Sequence, residues 1–97
     1  MKYRISKSAI RDLDDIFGYW AEVAGPEVAE RIIEGIAERF WLLGEYPQAG
    51  RVCHDFGPGV LCFPAGKYLI YYRKGRGGVQ IAHIFDGRRD QKRARES

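Results

Sequence analysis

The feature that most constrains this chain is a change of hydrophobic period near its midpoint. Up to Leu43 the apolar residues recur at spacings of three and four, and from Gln48 onward they alternate. A helical pattern cannot sit as a strand, nor the reverse, so two kinds of structure must follow one another. Ile10, Leu13, Phe17 and Trp20, widened by Ala9, Ile16 and Ala24, predict a first amphipathic helix. Ser6 or Ser8 can cap it, and Asp12, Asp14 and Asp15 lie toward its positive end. Ala29, Ile32, Ile33, Ile36, Ala37, Phe40 and Leu43 predict a second helix. "AGPE" (24–27) joins the two, with Gly25 allowing the turn and Pro26 suited to a first helical position. Gly44 and Pro47 stop the second. So short a link predicts an antiparallel helical hairpin.

The sheet half reads as short strands around 51–54 and 60–63 and firmer ones at 67–73 and 79–85. "KYRIS" (2–6) adds one before the helices. "FGPG" and "FPAG" mark turns, and "KGRGG" (74–78) lies between two β-rich runs as a hairpin connection. A phosphate cradle would need a helix after those glycines, and a strand follows. The expected fold is α+β: an N-terminal strand, then an antiparallel helical hairpin packed on one face of a small antiparallel sheet. We expect one domain over residues 1–90 and a short basic C-terminal tail over 91–97. Nothing in the chain is left to cover the second face of the sheet. Tyr71 and Tyr72 are neighbours on a strand, so one of them should face away from the helices and stay exposed.

Charge is divided unevenly. Residues 1–50 hold six Lys or Arg against nine Asp or Glu, whereas residues 51–97 hold ten against four. The second half therefore suits an anionic partner, nucleic acid or acidic polypeptide. No apolar run is long enough for a membrane span and no signal sequence precedes the first strand, so a cytoplasmic protein is expected. Cys53 and Cys62 are too few for a disulfide framework and read as small reduced apolar residues. A zinc set of Cys53, His54, Cys62 and His83 has no spacing to recommend it. No metal and no cofactor is expected.

In order along the chain, "YRIS…A…DL…I..YW", "P.AGR", "GPG", "FP.GKY.IYYR" and "I..IFDGRRD" resemble the ParE/RelE toxin superfamily, the ParE branch more closely. That resemblance spans residues 3–90. It implies the toxin of a bacterial type II toxin–antitoxin module. The partner would be a ParD-like antitoxin that itself binds the DNA and wraps the toxin with its C-terminal segment. ParE-like toxins act on DNA gyrase; RelE-like toxins cleave messenger RNA on the ribosome.

The residues favour binding over cleavage. A metal-free ribonuclease needs a base, an acid and cations around the phosphorane. Cations abound, but His83 is the one acid–base candidate near them, and after it the chain has neither His nor Tyr. Were the protein a nuclease, His83, Arg88 and Arg89 would carry it. By alternation His83 should share a side with Ile81 and Phe85. The sequence also has Leu61 in "GVLCFP" and Asp86 before Gly87, where the family commonly has Arg and His. As a binder, Arg88 and Arg89 would grip the target with Lys92 and Arg93, oriented by Asp86 and Asp90. Arg89–Asp90 matches the family's recurrent terminal pair, so Arg88 is the better candidate for display. For the antitoxin the candidates are Phe63, Tyr68, Tyr71 and Tyr72, with Arg51, Arg73, Lys74 and Arg76 for salt bridges; Trp20 and Trp41 are further aromatics of interest.

Overall fold

The computed structural model describes residues 2–53 and 56–87. Its elements run β1 (Tyr3–Ile5), α1 (Lys7–Ala24), α2 (Pro26–Glu45), β2 (Arg51–Val52), β3 (Val60–Ala65), β4 (Tyr68–Gly75) and β5 (Gly78–Asp86). Ser6 is the cap of α1. Its hydroxyl accepts from the Ala9 amide at 3.0 Å and donates to the Ala82 carbonyl at 2.9 Å, so one side chain starts the helix and pins it to β5. Gly25, at φ 98°, ends α1 and opens α2 in a backbone conformation that L side chains rarely adopt.

Two helical details depart from expectation. The buried centre of α1 is Ala9 and Ile16, with Leu13 and Trp20 beside it, and Ile10 is 48% exposed. Asp12 lies beyond the first turn, where the helix dipole has little effect. Its carboxylate instead accepts from the Ile84 amide at 3.0 Å, satisfying a donor that β1 is too short to reach.

The strands form one five-stranded sheet in the order β1-β5-β4-β3-β2. β2 to β5 make the expected antiparallel run, while β1 joins β5 in parallel, pairing Tyr3 with Val79 and Ile5 with Ile81. No hairpin turn ties β1 to its neighbour, because the chain leaves it into the helical layer; its direction is therefore free of the antiparallel rule. Close approach makes Gly78 obligatory: at φ 137°, a Cβ there would collide with the Lys2 backbone carbonyl, which accepts from the Val79 amide. "FPAG" is not wholly a turn, since β3 runs on to Ala65. Pro64 fits because β2 pairs only with Leu61 and Cys62, leaving that edge without a donor to supply.

The helices cover one sheet face, burying Ile36, Phe40 and Leu43 against Ile70, Tyr72, Ile81 and Ile84. Tyr72 is fully buried there; its hydroxyl donates to the Pro47 carbonyl and accepts from the Gly50 amide, both at 2.8 Å. The other face is not bare. Val60, Cys62, Leu69 and Tyr71 form a second cluster with Cys53, Phe56 and Phe85. Tyr71 does face away from the helices but is only 2% exposed, because Phe56, from the segment between β2 and β3, packs 4.3 Å from its ring centre. The expected exposed ring is thus a covered one.

Candidate functional site

The clearest concavity gathers at the corner where β3 turns into β4 and β5 leaves the sheet. Gly66, at φ 62°, turns the chain, and Lys67 follows on the outside of the corner. Register places Tyr68 opposite Asp86. The Lys67 ammonium consequently meets the Asp86 carboxylate at 3.0 Å, and the Lys67 carbonyl accepts from the Gly87 amide at 2.9 Å. That hydrogen bond to Asp86 raises the Lys67 pKa above its usual value, against a smaller opposing effect of desolvation. Asp86 thus holds Lys67, and the arginines it is expected to orient lie outside the described residues.

Lys67 also stands over two rings, 5.3 Å from the centre of Trp20 and 5.6 Å from that of Tyr68. The Trp20 indole N–H donates to the Tyr68 hydroxyl at 2.7 Å, fixing both rings. Behind them a groove of about 320 Å³ opens between α2 and the β3–β4 corner. Ile32, Ile36 and Ala65 contribute apolar surface, and Arg31, Arg39 and Lys67 line it with positive charge. A second depression of about 480 Å³ shares Gly66, Lys67 and Tyr68 and continues past Pro64 to Gly87. Such a surface can seat apolar side chains while cations meet carboxylates beside them.

Of the aromatics expected to meet the antitoxin, Tyr68 and Trp20 line this groove. Tyr68, Tyr71 and Tyr72 are all buried, and Phe63 is half-buried against the helical-side core. Arg73, Lys74 and Arg76 are exposed at the far end of the β4–β5 hairpin, up to roughly 23 Å from Tyr68 at the rise of a strand. Arg51 is exposed on β2, and its pKa is raised, first by a side-chain hydrogen bond with Cys62. Trp41 is 61% exposed on α2. The structure does not unite these cations with the groove. Arg88, Arg89, Lys92 and Arg93 lie outside the described residues, as do Asp90 and the 91–97 tail.

The residues the sequence reading missed are Arg31 and Arg39. They stand four positions either side of Gly35, which is one face of a helix with a gap between two cations; that spacing was the available signal.

His83 has a partner the sequence did not suggest. Its Nδ1 lies 3.0 Å from the same Asp12 oxygen that accepts from Ile84. Its ring stacks on Phe85 at 4.8 Å and its side chain is 43% exposed. His83 does not share a side with Ile81. Tyr72 pairs with Ile81 and Tyr71 with His83, so Ala82 is an extra residue that breaks the alternation. Ile81 and Ile84 both face the helices, and His83 and Phe85 turn away. Among the described residues no group of three or more side chains could hold a metal, and no helix is long and apolar enough to cross a membrane. His54 of the imagined zinc set lies outside them.

A helical hairpin on one face of a five-stranded mixed sheet agrees with the ParE/RelE-like fold that the sequence resembles. Residues 3–91 match the family described as "ParE toxin of type II toxin-antitoxin system, parDE". The chain belongs to that family and is a ParE-type toxin of a toxin–antitoxin system. It is 25% identical over 90 residues to Toxin ParE1 of Mycobacterium tuberculosis, covering 92% of each chain. It is 29% identical over 73 residues to Toxin ParE1 of Caulobacter vibrioides, covering 75% of this chain and 76% of that one. Among solved structures, the chromosomal ParDE system of P. aeruginosa superposes with a TM-score of 0.78 at 26% identity, over 89% of this chain and 95% of that one. The RelBE2 toxin–antitoxin complex of M. tuberculosis, at 20% identity and a TM-score of 0.66, shares the fold over 88% of this chain and 95% of its own.

Proposed function

We propose that this toxin acts by binding DNA gyrase and is neutralised by a ParD-like antitoxin whose acidic, amphipathic C-terminal segment seats in the groove at Trp20, Ile32 and Tyr68. One observation carries the antitoxin half: an open apolar groove whose charged lining residues, Arg31, Arg39 and Lys67, are all cationic. An acidic helix or strand with apolar anchors is the complement of that surface. The family membership supports gyrase as target, and Arg88 with Arg89 remain our choice for gripping it. The protein works by association and not by hydrolysis.

Two measurements test this. Purified toxin should inhibit gyrase supercoiling and leave ribosome-bound mRNA intact; cleavage without inhibition reverses the assignment. Lys67→Glu should weaken capture of a synthetic peptide matching the antitoxin's C-terminal segment by at least tenfold, about 1.4 kcal/mol, with the fold retained. Unchanged capture would remove the groove from the interface.

A second reading, a RelE-like ribosome-dependent mRNA endonuclease, has one observation in its favour. With Asp12 holding Nδ1–H, the His83 Nε2 would carry the lone pair of a general base. The Asp12 carboxylate already has a structural task at the Ile84 amide, which explains the pair without catalysis.

A further inference from the structure

The two cysteines, small apolar fillers by sequence, are brought together by the fold. Arg51 pairs with Cys62 across β2 and β3, and just past β2 the Cys53 amide donates to the Val60 carbonyl at 2.8 Å. Residues 51, 53, 60 and 62 therefore point to one sheet face, the one turned from the helices. On it the sulfurs of Cys53 and Cys62 lie 2.8 Å apart, nine positions distant in the chain. Cys62 is buried and Cys53 is half-buried, so one thiol is shielded while the other can be reached from solvent. The Arg51 guanidinium hydrogen-bonds with Cys62, which raises the Arg51 pKa.

We propose that Cys53 and Cys62 form a peroxide-responsive dithiol that closes to an internal disulfide. The Cys53 thiolate attacks the peroxide and breaks its O–O bond. Cys53 becomes a sulfenic acid and the leaving oxygen takes a proton to depart as water or an alcohol. The Cys62 sulfur then displaces hydroxide from Cys53, and its released proton makes that hydroxide water. Both sulfurs are oxidised by one electron each, and the peroxide is reduced by two.

The bond would lock the segment carrying Phe56 onto β3, and with it the cover over Tyr71. It lies on the opposite face from the groove at Trp20, so it is independent of the antitoxin assignment.

The test uses the full-length chain, reduced and then treated with stoichiometric hydrogen peroxide. Trypsin releases residues 52–67 as one peptide carrying both cysteines. That peptide should become lighter by two hydrogens, and reductant should restore it. Closing so short a loop should raise Tm by roughly 10 °C relative to the reduced protein. Cys53→Ser, at the half-buried position, keeps a small side chain and should show neither change. Sulfinic acid on either cysteine, a disulfide between two chains, or an unaltered peptide would each overturn the proposal.

Discussion

Tyr72→Phe isolates a single hydroxyl at the heart of the fold. Phenylalanine keeps the ring that packs between α2 and the sheet, so no cavity opens. What is lost is the oxygen that donates to Pro47 and accepts from Gly50, each at 2.8 Å. Those two bonds hold the connection between α2 and β2 against the core. Each is worth about 1 kcal/mol net, and stranding a half-buried amide and carbonyl adds to that, so we expect a loss of about 2–3 kcal/mol. For a domain this size the corresponding drop in Tm is roughly 10–20 °C. Urea unfolding should show a lower midpoint with an unchanged slope. The same residue makes an alkaline signature. Burial raises the Tyr72 pKa, with the Gly50 hydrogen bond acting in the opposite direction. Above the unfolded value of about 10 the unfolded state loses this proton first, so stability falls as pH rises from there toward the folded value. Tyr72→Phe should flatten part of that fall. A stability loss below about 0.5 kcal/mol would refute the claim that the hydroxyl anchors this connection.

Other substitutions probe other joints. Gly78→Ala should cost about 2–4 kcal/mol, because both its positive φ and the Lys2 carbonyl exclude a side chain; thermal melts would measure it. Asp12→Ala should release the Ile84 amide to hydrogen exchange and lower stability by about 1–2 kcal/mol. Phe40→Ala, deep under the helices, should cost about 3–5 kcal/mol in urea. Arg88→Glu should abolish gyrase inhibition while leaving circular dichroism and antitoxin binding intact; equal potency would end that residue's candidacy.

Much of the fold was legible because period is a local property. The spacing of Ile36, Phe40 and Leu43 needs no knowledge of the sheet, and neither does the alternation around Ile70 and Tyr72. What the sequence could not reveal were matters decided across the fold. Ala82 reads as an ordinary strand residue, yet as an extra one it turns His83 away from Ile81. Asp12 reads as a dipole partner, yet the shortness of β1 leaves an amide for it to satisfy. Alternation requires one of Tyr71 and Tyr72 to face away from the helices without saying which, and the cover that Phe56 supplies to Tyr71 comes from a segment with no period to read. The groove was hidden for a related reason. Two of its three cations, Arg31 and Arg39, are on α2, in the acidic half of the chain, where a count of charge by halves conceals them.

The parallel pairing of β1 with β5 has a bearing on how this molecule comes into being. Ser6 finds its hydrogen-bond partner in Ala82, 76 positions downstream. During synthesis the earliest strand must wait for nearly the whole domain to emerge before it can dock, and that late closure is entropically the slowest kind. A nascent toxin therefore stays incomplete while it is being made, and its harmful form matures only when translation of the domain is done.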